Sequence, residues 1–167
     1  MIMSEISIVD ILPEMVPEAS SFFQDRLDDT FSRTFPPEAI KKYRADYKSV
    51  NLAHHVEADA RVNVAALMEN RIVGIMFGSH INGGVASVIW IAVHSGVQGK
   101  GIGRKLMEVT FKKYTALGAH KLVLYTETNE GKIFYEKIGM SIEGVHPRHW
   151  WGVKHYCLAM DLTINKK

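Results

Sequence analysis

Cysteine is almost absent: Cys157 is the only one in 167 residues, so no intramolecular disulfide can form and a reducing compartment is expected. Its neighbours Tyr156, Leu158 and Met160 read as a strand, where a lone cysteine is a small buried apolar group. No apolar run approaches the roughly 20 residues that a membrane span requires. The stretch Met1 to Leu12 carries Glu5 and Asp10 and has no basic flank, which makes it a poor signal peptide. A soluble cytoplasmic protein, with no membrane partner, is the expectation. An excess of one charge is missing too, because 20 basic and 18 acidic side chains leave a formal charge of +2. That balance disfavours a nucleic-acid binder, and the basic group Lys100, Arg104, Lys105, Lys112 and Lys113, interrupted by Glu108, reads as a solvated helix face. His54-His55 has no ligand partners at metal spacing and reads as an exposed loop, so no metal is expected.

What is present suits one domain over residues 1–167, since 47% apolar residues are enough for a core. Ile6, Ile8 and Ile11 alternate as a first strand that ends at Pro13. Ala19, Phe22, Phe23 and Leu27 recur at helical spacing behind Pro17, and a second helix starts at Pro36-Pro37 and runs to about Tyr47, with Ile40, Tyr43 and Tyr47 on one side. Val62 to Met68 and Ile72 to Gly78 form a hairpin across Glu69-Asn70-Arg71. Asn82-Gly83-Gly84 turns the chain into Val85 to Val93, whose run Val88-Ile89-Trp90-Ile91 predicts a central strand covered on both faces. Gly101 to Leu117 is the clearest helix, stopped by Gly118. A strand at Lys121 to Thr126, a helix over 129–138 with Ile133, Phe134 and Ile138 inward, and strands near Met140 to Val145 and Val153 to Leu162 complete the chain.

The run Gln98-Gly99-Lys100-Gly101-Ile102-Gly103 lies between an apolar strand and an amphipathic helix. Glycines there let the backbone approach a ligand, and the unpaired N–H groups of a first helical turn point at any anion before them. Lys100, Arg104 and Lys105 add positive charge at the same end. A Walker loop wants Ser or Thr after Gly-Lys, and Lys100 is followed by Gly101. A dinucleotide fingerprint fails at its third glycine, where Arg104 stands.

Gln98-x-x-Gly101-x-Gly103, followed by Arg104-Lys105-Leu106-Met107, resembles the acetyl-CoA pyrophosphate motif of the GNAT superfamily. Phe134-Tyr135-Glu136-Lys137-Ile138-Gly139-Met140 is similar to that family's F/L-Y-E-K-x-G-F signature, with Met140 in place of the usual Phe. The resemblance implies an α+β fold in three α/β/α layers, with a mixed, mostly antiparallel sheet of six or seven strands and about four helices. It implies an N-acetyltransferase that moves an acetyl group from acetyl-CoA to a primary amine of a small molecule or peptide. Carried over residue by residue, Ile91, Ala92 and Val93 would hold the pantetheine arm through main chain, and Val97 to Arg104 would wrap the pyrophosphate. Tyr135 would be the general acid for the leaving thiolate. The family's Asn, seven positions before this tyrosine, is replaced by Thr128, with Asn129 next to it; either would cap the following helix, and the resemblance implies that one of the two touches the cofactor.

The strand Val85 to Val93 has no Asp or Glu, so the carboxylate base some members carry there is missing. Glu127 at a strand end, His94, the histidines His146, His149 and His155, and water all remain as bases. The acceptor wall is expected from Phe31 to Phe35 and from His149-Trp150-Trp151-Gly152, although Trp150 and Trp151 equally suit a core edge or a dimer contact. An exposed final strand is compatible with a homodimer. A non-catalytic acyl-CoA-binding module is the competing reading, favoured by the missing carboxylate and opposed by Tyr135.

Overall fold

The computed structural model describes residues 5–58 and 61–163. Seven strands form one mixed sheet: β1 (Ile6–Asp10), β2 (Asn63–Met68), β3 (Arg71–Gly78), β4 (Val85–Val93), β5 (Lys121–Thr126), β6 (Ser141–His146) and β7 (His155–Asp161). Their spatial order is β1-β2-β3-β4-β5-β7-β6. All neighbours are antiparallel except β4 and β5. The helices among the described residues are α1 (Val16–Asp29), α2 (Pro37–Asp46), α3 (Ser49–Glu57), α4 (Ile102–Ala116) and α5 (Asn129–Lys137). None of them is long and apolar enough to cross a membrane.

The sheet separates two cores, which gives the three layers. On one face Phe23 and Leu27 of α1, Ala39 of α2 and Leu52 of α3 pack on Ala65, Ile75 and Phe77. On the other, Leu106, Met107 and Tyr114 of α4 and Tyr135 of α5 pack on Val64, Ala66, Met76 and Leu124. Large side chains such as Phe23, Leu27 and Leu106 are fully buried, and each contributes roughly 1.5–3 kcal/mol of transfer free energy. The β2–β3 hairpin closes with Glu69 and Asn70 at φ 52° and 60°, so two residues make the turn and Arg71 already belongs to β3.

The structure departs from the sequence reading at several points. Residues 49–57 form α3, so His54-His55 lies on a helix and not in a loop. Leu52 anchors that helix in the core, and the His55 ring packs against Phe77 at 5.9 Å and Tyr47 at 6.3 Å. Ile133 is 41% exposed, not inward, because α5 turns Tyr135 into the core. The final strand is no edge: β7 lies between β5 and β6, and β1 and β6 are the edges. β4 is central as expected, yet one stretch is uncovered, with Ile89 40% exposed.

That exposure has a backbone cause. Phe77 pairs with Trp90 and Gly78 with Val88, which leaves Ile89 as an extra residue and bulges β4. On its other side β4 pairs with β5 only from Val85 to Ser87. Beyond Ser87 the two parallel strands part, and the sheet opens between Ile89 to Val93 and Leu124 to Thr126.

Candidate active site

Two cavities meet in that opening. The larger, about 730 Å³, lies between α2, the 3-10 turn Phe31–Arg33, the bulged half of β4, the end of β5 and the turn Trp150–Gly152. The smaller, about 560 Å³, runs along Ile91 to Val93, the loop Val97 to Arg104 and the first turns of α5. Phe31, Ile91 and Tyr135 line both. Tyr135 is 8% exposed at their junction, where burial and the nearby charge of Glu127 push its phenol well above the usual range. It therefore stays protonated at neutral pH.

The loop before α4 is built to present N–H groups. Gly99 and Gly101 stand at φ 80° and 76°, in the left-handed region that glycine enters without strain, and a Cβ at either would meet nothing within 4 Å. The first helical hydrogen bond runs from the Lys105 N–H to Gly101 O at 3.0 Å. The N–H groups ahead of it, from Gly99 to Arg104, have no acceptor among the described residues. Such a run at the start of a fifteen-residue helix suits a diphosphate, which accepts several hydrogen bonds at once. Gly103 brings α4 close to α5, since a Cβ there would lie 3.2 Å from the Phe134 ring.

Ile91, Ala92, Val93, Gln98, Gly99, Gly101, Ile102, Gly103 and Arg104 all line this groove with Tyr135. Lys100 does not line it and points to solvent. Thr128 and Asn129 lie outside it as well. Thr128 is the cap of α5, accepting the Gly131 N–H at 3.0 Å, and Asn129 is exposed in the first turn. The sequence reading missed Gly131, which lines the groove and where a Cβ would come within 2.2 Å of Thr126 Oγ1.

Phe31, Trp150, Trp151 and Glu127 all line the larger cavity. Aromatic residues from separate elements complete it. The Trp90 ring lies 4.8 Å from Phe31 and 4.9 Å from Tyr43, and Phe35 and Tyr47 stand around them. Tyr43 on α2 and Tyr47 at its C-terminal cap, one turn apart, were legible only as a helix face, and Trp90 only as part of an apolar strand. Trp151 Nε1 donates to Tyr43 Oη at 2.8 Å, which ties the turn after β6 to α2 within the cavity lining. Trp151 holds φ 60°, a costly conformation for a bulky residue and one that marks functional segments.

Glu127 follows β5 and faces this cavity. Desolvation raises its carboxyl pKa above the ordinary value. His94 is elsewhere: exposed, it accepts the Gly96 N–H through Nδ1 at 3.0 Å and caps a short turn. His146, His149 and His155 stack with Tyr125 and Trp150 beside the cavity, and of the three only His155 lines it. Burial lowers the pKa of His149 and His155, and His155 Nδ1 donates to Val153 O at 2.9 Å. Among the described residues no group of three or more His, Cys, Asp or Glu side chains is arranged to hold a metal ion.

Comparisons with known proteins agree with this geometry. No curated protein sequence is found to match the chain. Solved structures do. The PaiA N-acetyltransferase of Thermoplasma acidophilum, crystallised with coenzyme A, superposes with a TM-score of 0.81 at 17% identity, over 94% of this chain and 99% of that one. The ribosomal-protein-S18-alanine N-acetyltransferase of Escherichia coli gives 0.73 at 15% identity over 98% and 97%, and an aminoglycoside 6'-acetyltransferase type Ii gives 0.67 at 20% over 93% and 97%. At these identities the likeness is one of fold. The sequence profile of the Acetyltransferase (GNAT) family matches residues 21–140, the span that holds the glycine loop, the parted strands and Tyr135, and the chain belongs to that acetyl-CoA-using family.

Proposed function

We propose that the whole chain works as one cytoplasmic N-acetyltransferase domain, transferring an acetyl group from acetyl-CoA to a primary amine by direct attack with both substrates bound. The observation that carries this reading is the row of unpaired N–H groups from Gly99 to Arg104, on a groove that meets a second cavity at Tyr135. The loop residues Gln98 to Gly103 with Arg104 hold the diphosphate, with Lys100 adding long-range charge. Main-chain groups of Ile91, Ala92 and Val93 hold the pantetheine arm, which has room because β4 has left β5.

Acetyl-CoA supplies an activated thioester, so that a C–N bond to the acceptor forms as the C–S bond breaks, leaving an amide and a free thiol. The protein has two protons to manage. Glu127 holds the incoming ammonium and, directly or through one water, takes in turn the two protons its nitrogen must lose, one before attack and one as the amide forms. Burial raises its pKa, which makes it a stronger base than an exposed glutamate. Tyr135 donates a hydrogen bond to the departing sulfur and releases its proton only as charge builds there, because its own pKa is raised. The first of these protons passes to solvent and the second restores Tyr135, so that amide, free thiol and one released proton balance the ammonium and the thioester. Holding both reactants in adjoining cavities supplies much of the acceleration. A homodimer, if the chain forms one, is expected through the edge β6, which exposes Ile142 and Val145, and not through β7.

The test is thiol release from acetyl-CoA in the presence of an amine panel. Acceptor-dependent release is expected, with Tyr135→Phe lowering kcat by about 10²–10⁴-fold while coenzyme A still binds in calorimetry. Tight coenzyme A binding with no turnover over a broad panel refutes the enzyme reading.

A further inference from the structure

The acceptor cavity has an unusual balance: many rings and one spare charge. Its walls are Phe31, Phe35, Tyr43, Trp90 and Trp151, drawn from four separate segments. Phe31, Tyr43 and Trp90 are only half-buried, so their faces are available to a ligand. The charged residues lining the cavity are Lys42, Asp46 and Glu127. Lys42 Nζ and Asp46 Oδ2 are 2.8 Å apart and cancel. Glu127 has no basic partner in any ion pair among the described residues.

Resting on the reading of this cavity as the acceptor site, we infer that the acceptor is a small monoamine carrying a flat apolar body, an arylalkylamine in chemical class. A single ammonium answers a single carboxylate, and aromatic faces favour both the cation and a planar body behind it. A polyamine brings further ammonium groups that find no second free carboxylate in the cavity. A free amino acid or other acidic acceptor places its carboxylate near Glu127. A polypeptide brings a train of amide groups into walls that are mostly rings, where they find few partners.

The chain carries its own reporter, because all three tryptophans, Trp90, Trp150 and Trp151, line this cavity. Intrinsic fluorescence of the full chain with coenzyme A present is titrated with 2-phenylethylamine, 3-phenylpropionate, spermidine and a hexapeptide with an N-terminal alanine. The amine is expected to saturate the signal at a concentration roughly tenfold or more below the other three, the size of one cation–aromatic contact. Glu127→Gln is expected to erase the preference for 2-phenylethylamine over 3-phenylpropionate, and Trp151→Ala to weaken the amine by about tenfold. Spermidine or the peptide binding as well as 2-phenylethylamine, or no saturable response to that amine, overturns the inference. Thiol release with the same amine is read separately. Binding of both ligands without turnover would defeat the transferase reading and leave the account of the cavity standing.

Discussion

Replacing Gly101 by alanine separates the folding role of the glycine loop from its binding role. Gly101 sits at φ 76° with open space around a would-be Cβ, so the fold loses only conformational energy. An L-residue in the left-handed region costs about 1–2 kcal/mol. For a chain of this length each kcal/mol lowers Tm by about 2–4 °C. Gly118 offers a matched control at the other end of α4, with φ 89° and an equally open surround. Fifteen residues at 1.5 Å each put it roughly 22 Å away. Gly101→Ala and Gly118→Ala should therefore melt a few degrees below the wild type and close to one another. Only the first adds a methyl group, and reduced backbone freedom, where a diphosphate would lie against the N–H groups. Loss of one charge-assisted hydrogen bond there is worth about 1.5–3 kcal/mol, or roughly 10- to 100-fold in coenzyme A affinity. Calorimetric titration of both variants decides the matter. If they are equally destabilised yet bind coenzyme A alike, the diphosphate does not sit on this loop and the reasoning fails.

Two further predictions concern protons. Glu127→Gln should lower acetyl transfer by about 10²–10⁴-fold. In the wild type, activity should fall on the acid side at a pH above the ordinary glutamate value, because burial raises this carboxyl. A carboxyl with a raised folded pKa disfavours folding once it must ionise, so the Gln variant should melt higher than the wild type at pH 7.5 and no higher near pH 4. His55 works in the opposite sense: burial, then the Arg61 guanidinium, holds its folded pKa down to about 4, against 6.5 when unfolded. The fold thus keeps it neutral, and the stability present above pH 6.5 drains away between 6.5 and 4. Allowing for the partial exposure of the ring, at most about 2 kcal/mol is at stake. Urea melts at pH 7.5 and pH 5 should show a loss that shrinks in His55→Gln, and an unchanged loss in that variant would show that His55 is not its source.

Much of the architecture is carried by short-range signals. Glu69-Asn70 turns a hairpin because two residues at positive φ match the twist of the strands they join, and that preference is written in neighbouring residues. The α4 stripe of Ile102, Leu106, Met107, Thr110 and Tyr114, with glycines before and after it, is equally local. α3 escaped notice because residues 49–57 carry little helical pattern of their own. Leu52, buried on α1 and β3, holds it in place. Ile133 was placed inward by a stripe that fits two adjacent faces of α5, and only packing against β6 and β7 chose between them.

The glycine-rich loop, the strand ahead of it and the Tyr135 motif could be read from sequence because each is a run of contiguous residues whose pattern is visible without its neighbours in space. The larger cavity was legible only in part, since the family resemblance pointed to Phe31, Trp150, Trp151 and Glu127 but not to Trp90, Tyr43 or Tyr47. Trp90, Tyr43, Trp151 and Glu127 come from segments up to 108 residues apart, and nothing within any one of them records the others. Their meeting depends on one extra residue in β4, the bulge at Ile89, which parts two parallel strands after three pairs and leaves a space where the sheet would otherwise be closed. Strand registry is a property of two chains of hydrogen bonds compared with each other, so it was decided only when the tertiary structure formed.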